Sequence, residues 1–93
     1  MFKTNEYFDG KVKSIAFKTI DCPATVGVMA QGEYVFGTST IEYMTLISGK
    51  MQVKLPGETI FKKIAVNETF IVEANVKFAV KVEEESAYLC LYK

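Results

Sequence analysis

The sequence predicts an all-β fold, built as one domain over residues 1–93, and three observations carry that expectation. Side chains alternate with period two, most clearly where Val76, Phe78, Val80 and Val82 interleave with Lys77 and Lys81. Turn signals such as "SGK" at 48–50 and "PGE" at 56–58 interrupt the apolar runs at short spacing. No long segment keeps the 3.6-residue period of an amphipathic helix.

The elements follow in order. Strands are expected near 11–20, 25–30, 33–37, 41–48, 51–55, 60–65, 69–73, 76–82 and 86–92. In the fifth of these, Met51, Val53 and Leu55 oppose Gln52 and Lys54, and Pro56 with Gly57 ends the run because neither residue continues a paired strand comfortably. Nine short strands at such spacing point to a closed barrel or a two-sheet jelly roll, architectures that pair off exposed sheet edges. No repeat, low-complexity tract or linker divides the chain.

At 93 residues the core is thin, although 49% of the residues are apolar, so a homodimer is expected to add burial. Lysines (11, with no arginine) balance 11 acidic residues and are scattered, which disfavours nucleic acid and anionic membranes as partners. The opening "MFKTNEYFDGKVKS" lacks the apolar core of a signal peptide, and no stretch approaches a membrane span, so a cytoplasmic location is expected. Cys22 and Cys90 read as free thiols. With no histidine in the chain, nothing obvious activates Cys90 as a nucleophile.

The stretch "GEYVFGTSTIEYMTLISG" at 32–49 carries the first chemical signal. It resembles the first motif of the cupin barrels, Gly, five residues, His-x-His, a gap, Glu, six residues, Gly. Gly32, Glu42 and Gly49 stand in place, while Thr38 and Thr40 replace the two histidines and the gap before Glu42 is shortened. The second cupin motif falls on Asn67, Glu73, Asn75 and Phe78, where the spacing survives and every signature residue has changed. Of the four ligand positions only Glu42 keeps a metal-binding side chain, and hydroxyls with one carboxylate make a poor transition-metal site. The expectation is a single-domain cupin-type β-barrel (double-stranded β-helix, or jelly roll) with no metal and no cofactor.

Three stretches narrow the resemblance: "NEYFDGKVKSI" at 5–15, "VGVMAQGEYVFGTSTIEYMTLISG" at 26–49 and "SAYLCLY" at 86–92. In order and spacing they resemble the pyrimidine/purine nucleoside phosphorylase family, small single-domain cupins. The chain departs from that family's pattern at Glu73 and Asn75, where a Pro-Gly turn is usual. The resemblance implies a pentosyltransferase: inorganic phosphate attacks C1′ of a purine or pyrimidine nucleoside, giving free base and pentose 1-phosphate.

Such a site must hold a pentose, bind phosphate, stabilise positive charge at C1′ and tolerate many bases. Glu42 is the candidate catalytic group, hydrogen-bonding ribose hydroxyls or stabilising charge at C1′; the alternative is a structural carboxylate satisfied by Thr38, Thr40 or tyrosine hydroxyls. Tyr34, Phe36, Met44, Phe78, Tyr88 and Tyr92 share the parity of the proposed lumen face. Rings there could stack on any base or simply fill the barrel, and Phe36 and Tyr92 are the leading pocket candidates. For phosphate, the chain offers Lys13 as a point charge and the hydroxyls of Thr38, Ser39 and Thr40, each with an ordinary surface or turn role as its alternative. Two other classes stay open. One is a non-catalytic small-molecule-binding or regulatory cupin; the other is a structural dimerisation module, which requires a completely filled interior.

Overall fold

A computed structural model describes residues 1–93 as eight strands and no helix. They are β1 (Thr4–Tyr7), β2 (Val12–Lys18), β3 (Pro23–Met29), β4 (Gly32–Gly37), β5 (Glu42–Lys54), β6 (Lys62–Ile64), β7 (Thr69–Val72) and β8 (Lys77–Tyr92). All pairings are antiparallel.

The two longest strands organise the rest. β5 and β8 lie side by side, and each divides its other edge between two partners. β8 pairs β4 through residues 77–82 and β3 through 86–91; β5 pairs β7 through 42–45 and β6 through 51–53. One half of the fold is therefore β1-β2-β3 joined to the last part of β8, the first part of β5 and β7. The other half is β4, the first part of β8, the last part of β5 and β6. Inward side chains from both halves, among them Met29, Met44, Val72 and Cys90 from one and Tyr34, Val53, Phe78 and Val80 from the other, form a single core of 15 buried residues. This is the double-stranded jelly roll.

The strand count differs from the nine expected, for identifiable reasons. The "SGK" segment is not a turn. Strand β5 continues through it with register shifts between Leu46 and Met51, absorbing the bend as bulges. Gly49 sits there at φ +109° against the Ser86 and Glu85 backbone, so close that an added Cβ would meet Glu85 O at 2.6 Å. Likewise 76–82 and 86–92 fuse into β8, because the exposed acidic run Glu83-Glu84-Glu85 stays paired, Glu84 opposite Lys50. The strand missing from the expectation is β1, whose four residues TNEY show no alternation and bury little.

The second motif keeps its backbone while changing its chemistry. Asn67 and Asn75, at the two glycine positions, have φ of 72° and 62°, a left-handed conformation that asparagine tolerates better than other side chains.

Outside, the larger half carries an apolar face. Ile15, Val26, Val28 and Ile71 are 40–55% exposed there. Val26 stands opposite Ile15 on one side and Leu89 on the other, and Ile71 stands opposite Tyr43, which makes the face contiguous across five strands.

Candidate active site

The core is not filled. Beside Glu42 lies a cavity of about 260 Å³. Its walls come from the β1–β2 hairpin (Tyr7, Phe8, Ser14), the end of β4 (Phe36, Gly37), β5 (Glu42, Met44) and β8 (Phe78, Tyr88, Cys90, Tyr92), with Met29 from β3. Ten of the 13 lining residues are hydrophobic, and Glu42 is the lone carboxylate among them. An open interior removes the requirement on which a purely structural module depended.

Glu42 begins β5 and is half-buried, paired across the ladder with Tyr92 on one side and Val72 on the other. Burial raises its pKa above the ordinary carboxylate value. Its hydrogen bond comes from the Cys90 thiol, Sγ to Oε1 at 3.5 Å, which partly opposes that rise. The hydroxyl partners considered from sequence do not supply it. Thr38 Oγ1 instead donates to the Glu73 carbonyl at 2.6 Å and accepts from the Val76 amide at 3.1 Å, tying the 38–41 loop to the turn at 73–76.

The other polar groups are neutral donors. Burial pushes the Tyr88 phenol up to about 12 and drives the Cys90 thiol and the Tyr92 phenol up strongly, so all three stay protonated at physiological pH. The Tyr92 hydroxyl lies 2.9 Å from Thr25 Oγ1. Tyr88 owes its position to Gly27, its cross-strand partner: a Cβ at 27 would stand 2.8 Å from the Tyr88 ring and hydroxyl and 2.6 Å from Lys13 O. The Gly27 position therefore admits no larger side chain without moving a cavity wall.

Of the residues expected at the site, Glu42, Phe36, Met44, Phe78, Tyr88 and Tyr92 all line this cavity. Tyr34 does not; it is buried, with its hydroxyl donating to Ala30 O at 2.6 Å. Thr38, Ser39 and Thr40 sit in the loop joining two lining residues, Gly37 and Glu42, and Ser39 and Thr40 are exposed. Lys13 is on the opposite face of β2 from Ser14, pairing with Glu6 at 3.4 Å across the outside of the hairpin. Its ammonium is not brought to the cavity. Absent from the expected site residues were Tyr7, Phe8, Ser14, Met29, Val35, Gly37 and Cys90. The Asp9-Gly10 pair is the signal that could have found the first two, because it marks a hairpin turn.

The positions that hold the metal in cupin barrels do not fit a metal here. Phe78, at the fourth, is a buried ring with its centroid 5.7 Å from that of Phe36 and 6.4 Å from that of Phe70, and it has no lone pair to offer. No group of three His, Cys, Asp or Glu side chains converges in the structure.

The family model for pyrimidine/purine nucleoside phosphorylases matches residues 2–92. The chain belongs to that family. A pyrimidine/purine nucleoside phosphorylase of Cellvibrio japonicus is 59% identical over 93 residues, covering 100% of both chains. Among solved structures, a Vibrio parahaemolyticus protein of unknown function superposes with a TM-score of 0.95 at 42% identity, covering 100% of this chain and 99% of the other. An RmlC-like cupin of Shewanella frigidimarina matches at TM-score 0.76 and 16% identity over 98% of this chain and 82% of its own, which identifies the barrel as cupin-like. The "VGVM" stretch at 26–29 has a physical basis in this fold: Gly27 makes room for Tyr88, and Met29 reaches the cavity.

Proposed function

We propose that this protein is a metal-independent nucleoside phosphorylase of broad base specificity, acting in the cytoplasm, where its free Cys22 and Cys90 stay reduced. The observation that carries the reading is a lone half-buried carboxylate, Glu42, facing an aromatic-lined cavity in a chain of this family.

In this reading the pentose lies against Glu42. An oxygen of hydrogen phosphate forms a bond to C1′ as the C1′–N glycosidic bond breaks; the base takes the bonding pair, and the proton it gains balances the one given up by the phosphate. Positive charge gathers at C1′ in between, and the Glu42 carboxylate, poorly solvated and fixed by Cys90, stabilises it or grips the ribose hydroxyls. The tyrosine hydroxyls serve as neutral hydrogen-bond donors, and apolar walls accept purines and pyrimidines alike. Phosphate is taken up by the exposed loop residues Ser39 and Thr40, since the Thr38 hydroxyl already donates to the Glu73 carbonyl. Lys13, turned outward, is left out of the site.

The working form is a homodimer, joined through the apolar outer face around Val26 and Leu89, since contiguous exposed apolar patches mark association surfaces. The decisive experiment measures release of uracil from uridine and adenine from adenosine, with and without phosphate and after chelator treatment. Phosphate-dependent, chelator-resistant release supports the proposal. No release under any condition sinks it and favours a non-catalytic small-molecule-binding cupin.

A further inference from the structure

The β1–β2 hairpin turns through three successive residues in the left-handed region, Phe8 (φ 54°), Asp9 (φ 57°) and Gly10 (φ 83°), closed by the Lys11 amide donating to Phe8 O at 3.2 Å. Glycine and aspartate accept that conformation readily. A phenylalanine does not, and strain of this kind persists only where the surroundings hold it.

Core packing does not account for the choice of side chain. Phe8 is still 42% exposed, so much of the gain from burying an aromatic ring is forgone. The turn instead places the partly exposed ring against the cavity. There it is steadied from behind, 5.0 Å from the Tyr34 ring centroid in a tilted arrangement and 5.6 Å from Phe36 edge to face. Phe78 and Tyr88, deeper in the cavity, are buried rings; Phe8 and Tyr7 are the exposed aromatic residues that line it. The result is an apolar ring held by two others and still partly exposed where it lines the cavity.

We propose that Phe8 is the stacking wall for the base of the bound nucleoside, so that the β1–β2 turn sets the preference among bases. The inference rests on the nucleoside phosphorylase reading. With the pentose at Glu42, the base lies against the Phe8 ring. A purine offers two fused rings to that surface and a pyrimidine one, so Phe8 contributes more to adenosine than to uridine.

The test is Phe8→Gly, which suits the left-handed backbone, beside Phe8→Trp, which keeps a stacking surface; thermal melting confirms that both are folded. Phosphorolysis of adenosine and uridine is followed by KM and kcat, and equilibrium binding of adenosine is measured without phosphate. Base stacking on a protein ring predicts a loss of roughly 5- to 150-fold in kcat/KM for adenosine in the glycine variant. The loss is expected mainly in KM and to be smaller for uridine, with recovery in the tryptophan variant. Equal losses for both nucleosides, or no loss, would overturn the role of Phe8 while leaving phosphorolysis standing. A wild-type protein that binds adenosine without turnover sinks phosphorolysis, and Phe8 is then judged by whether the glycine variant weakens that binding. A wild-type protein that neither binds nor cleaves overturns both.

Discussion

Replacing Glu42 by Gln removes one charge while keeping the shape of the side chain, so it separates the electrostatic contribution from packing. A unit charge about 4 Å from a developing cation, at the effective dielectric of about 20 found near protein surfaces, is worth roughly 4 kcal/mol. Glu42 is only half-buried, so solvent screening lowers that to about 2–4 kcal/mol, or roughly 30- to 1,000-fold in kcat/KM. Stability should move the other way. Burial raises the native pKa of Glu42, so the folded state keeps its proton to higher pH than the unfolded chain does. Stability from this group is therefore present below the unfolded pKa and is lost as pH rises through the native one. The glutamine variant escapes that loss. It should melt at a temperature equal to or above wild type at neutral pH, with the difference closing in acid where Glu42 is neutral in both states. Wild-type activity should itself fall as pH drops through the raised pKa. Assays of uracil release over pH 5–9, paired with melting curves, read both effects. A glutamine variant within about threefold of wild-type activity excludes an electrostatic role for Glu42, and one clearly less stable at neutral pH excludes the raised pKa.

Other predictions follow from single contacts. Gly49→Ala puts a Cβ into the Ser86 side chain and the Glu85 backbone at φ +109°; strain and overpacking together should cost about 2–5 kcal/mol, lowering the melting temperature by roughly 10 °C or more. Thr38→Val leaves the Glu73 carbonyl and the Val76 amide without that hydroxyl, a loss of about 1–3 kcal/mol measurable by chemical denaturation. Val26→Glu, at the centre of the outer apolar face, should convert a dimer to monomer in light scattering, whereas an unchanged molar mass would remove that face as the interface.

The parts of the fold that were legible are those with one face in water and one in the core. The alternation at 76–82 located Phe78, Val80 and Val82 in the core because each buried position is flanked by an exposed or partly exposed one. The same parity placed Phe36, Met44, Tyr88 and Tyr92 toward the interior, and they meet at the cavity. What escaped depends on register between distant segments. Cys90 reaches Glu42 only because Met44 pairs Cys90, which sets the two side chains diagonally across the β5–β8 ladder. Ser14 and Met29 enter the cavity because β3 docks beside β8, a pairing no local pattern encodes. Strand β1 was invisible for another reason: as a short edge strand it buries too little to need alternation.

The two cupin motifs show which of their requirements belong to the backbone and which to chemistry. Gly32 and Gly49 keep positive φ, and Asn67 and Asn75 reproduce at φ 72° and 62° what glycine would do, so the turns that shape the barrel are intact. The ligand positions obey no such constraint, since a strand accepts almost any side chain of suitable size. One has become Phe78, whose ring bridges Phe36 and Phe70 across the core; another, Thr38, now fastens a loop with its hydroxyl. A barrel built this way has no cluster of metal-binding side chains at those positions and has an apolar interior around Glu42. Half-burial against such walls strengthens the field of that carboxylate relative to water, because the apolar lining screens it less than bulk solvent does. For a reaction whose transition state carries positive charge on a sugar carbon, a single carboxylate in that setting can stabilise the charge without help from a metal.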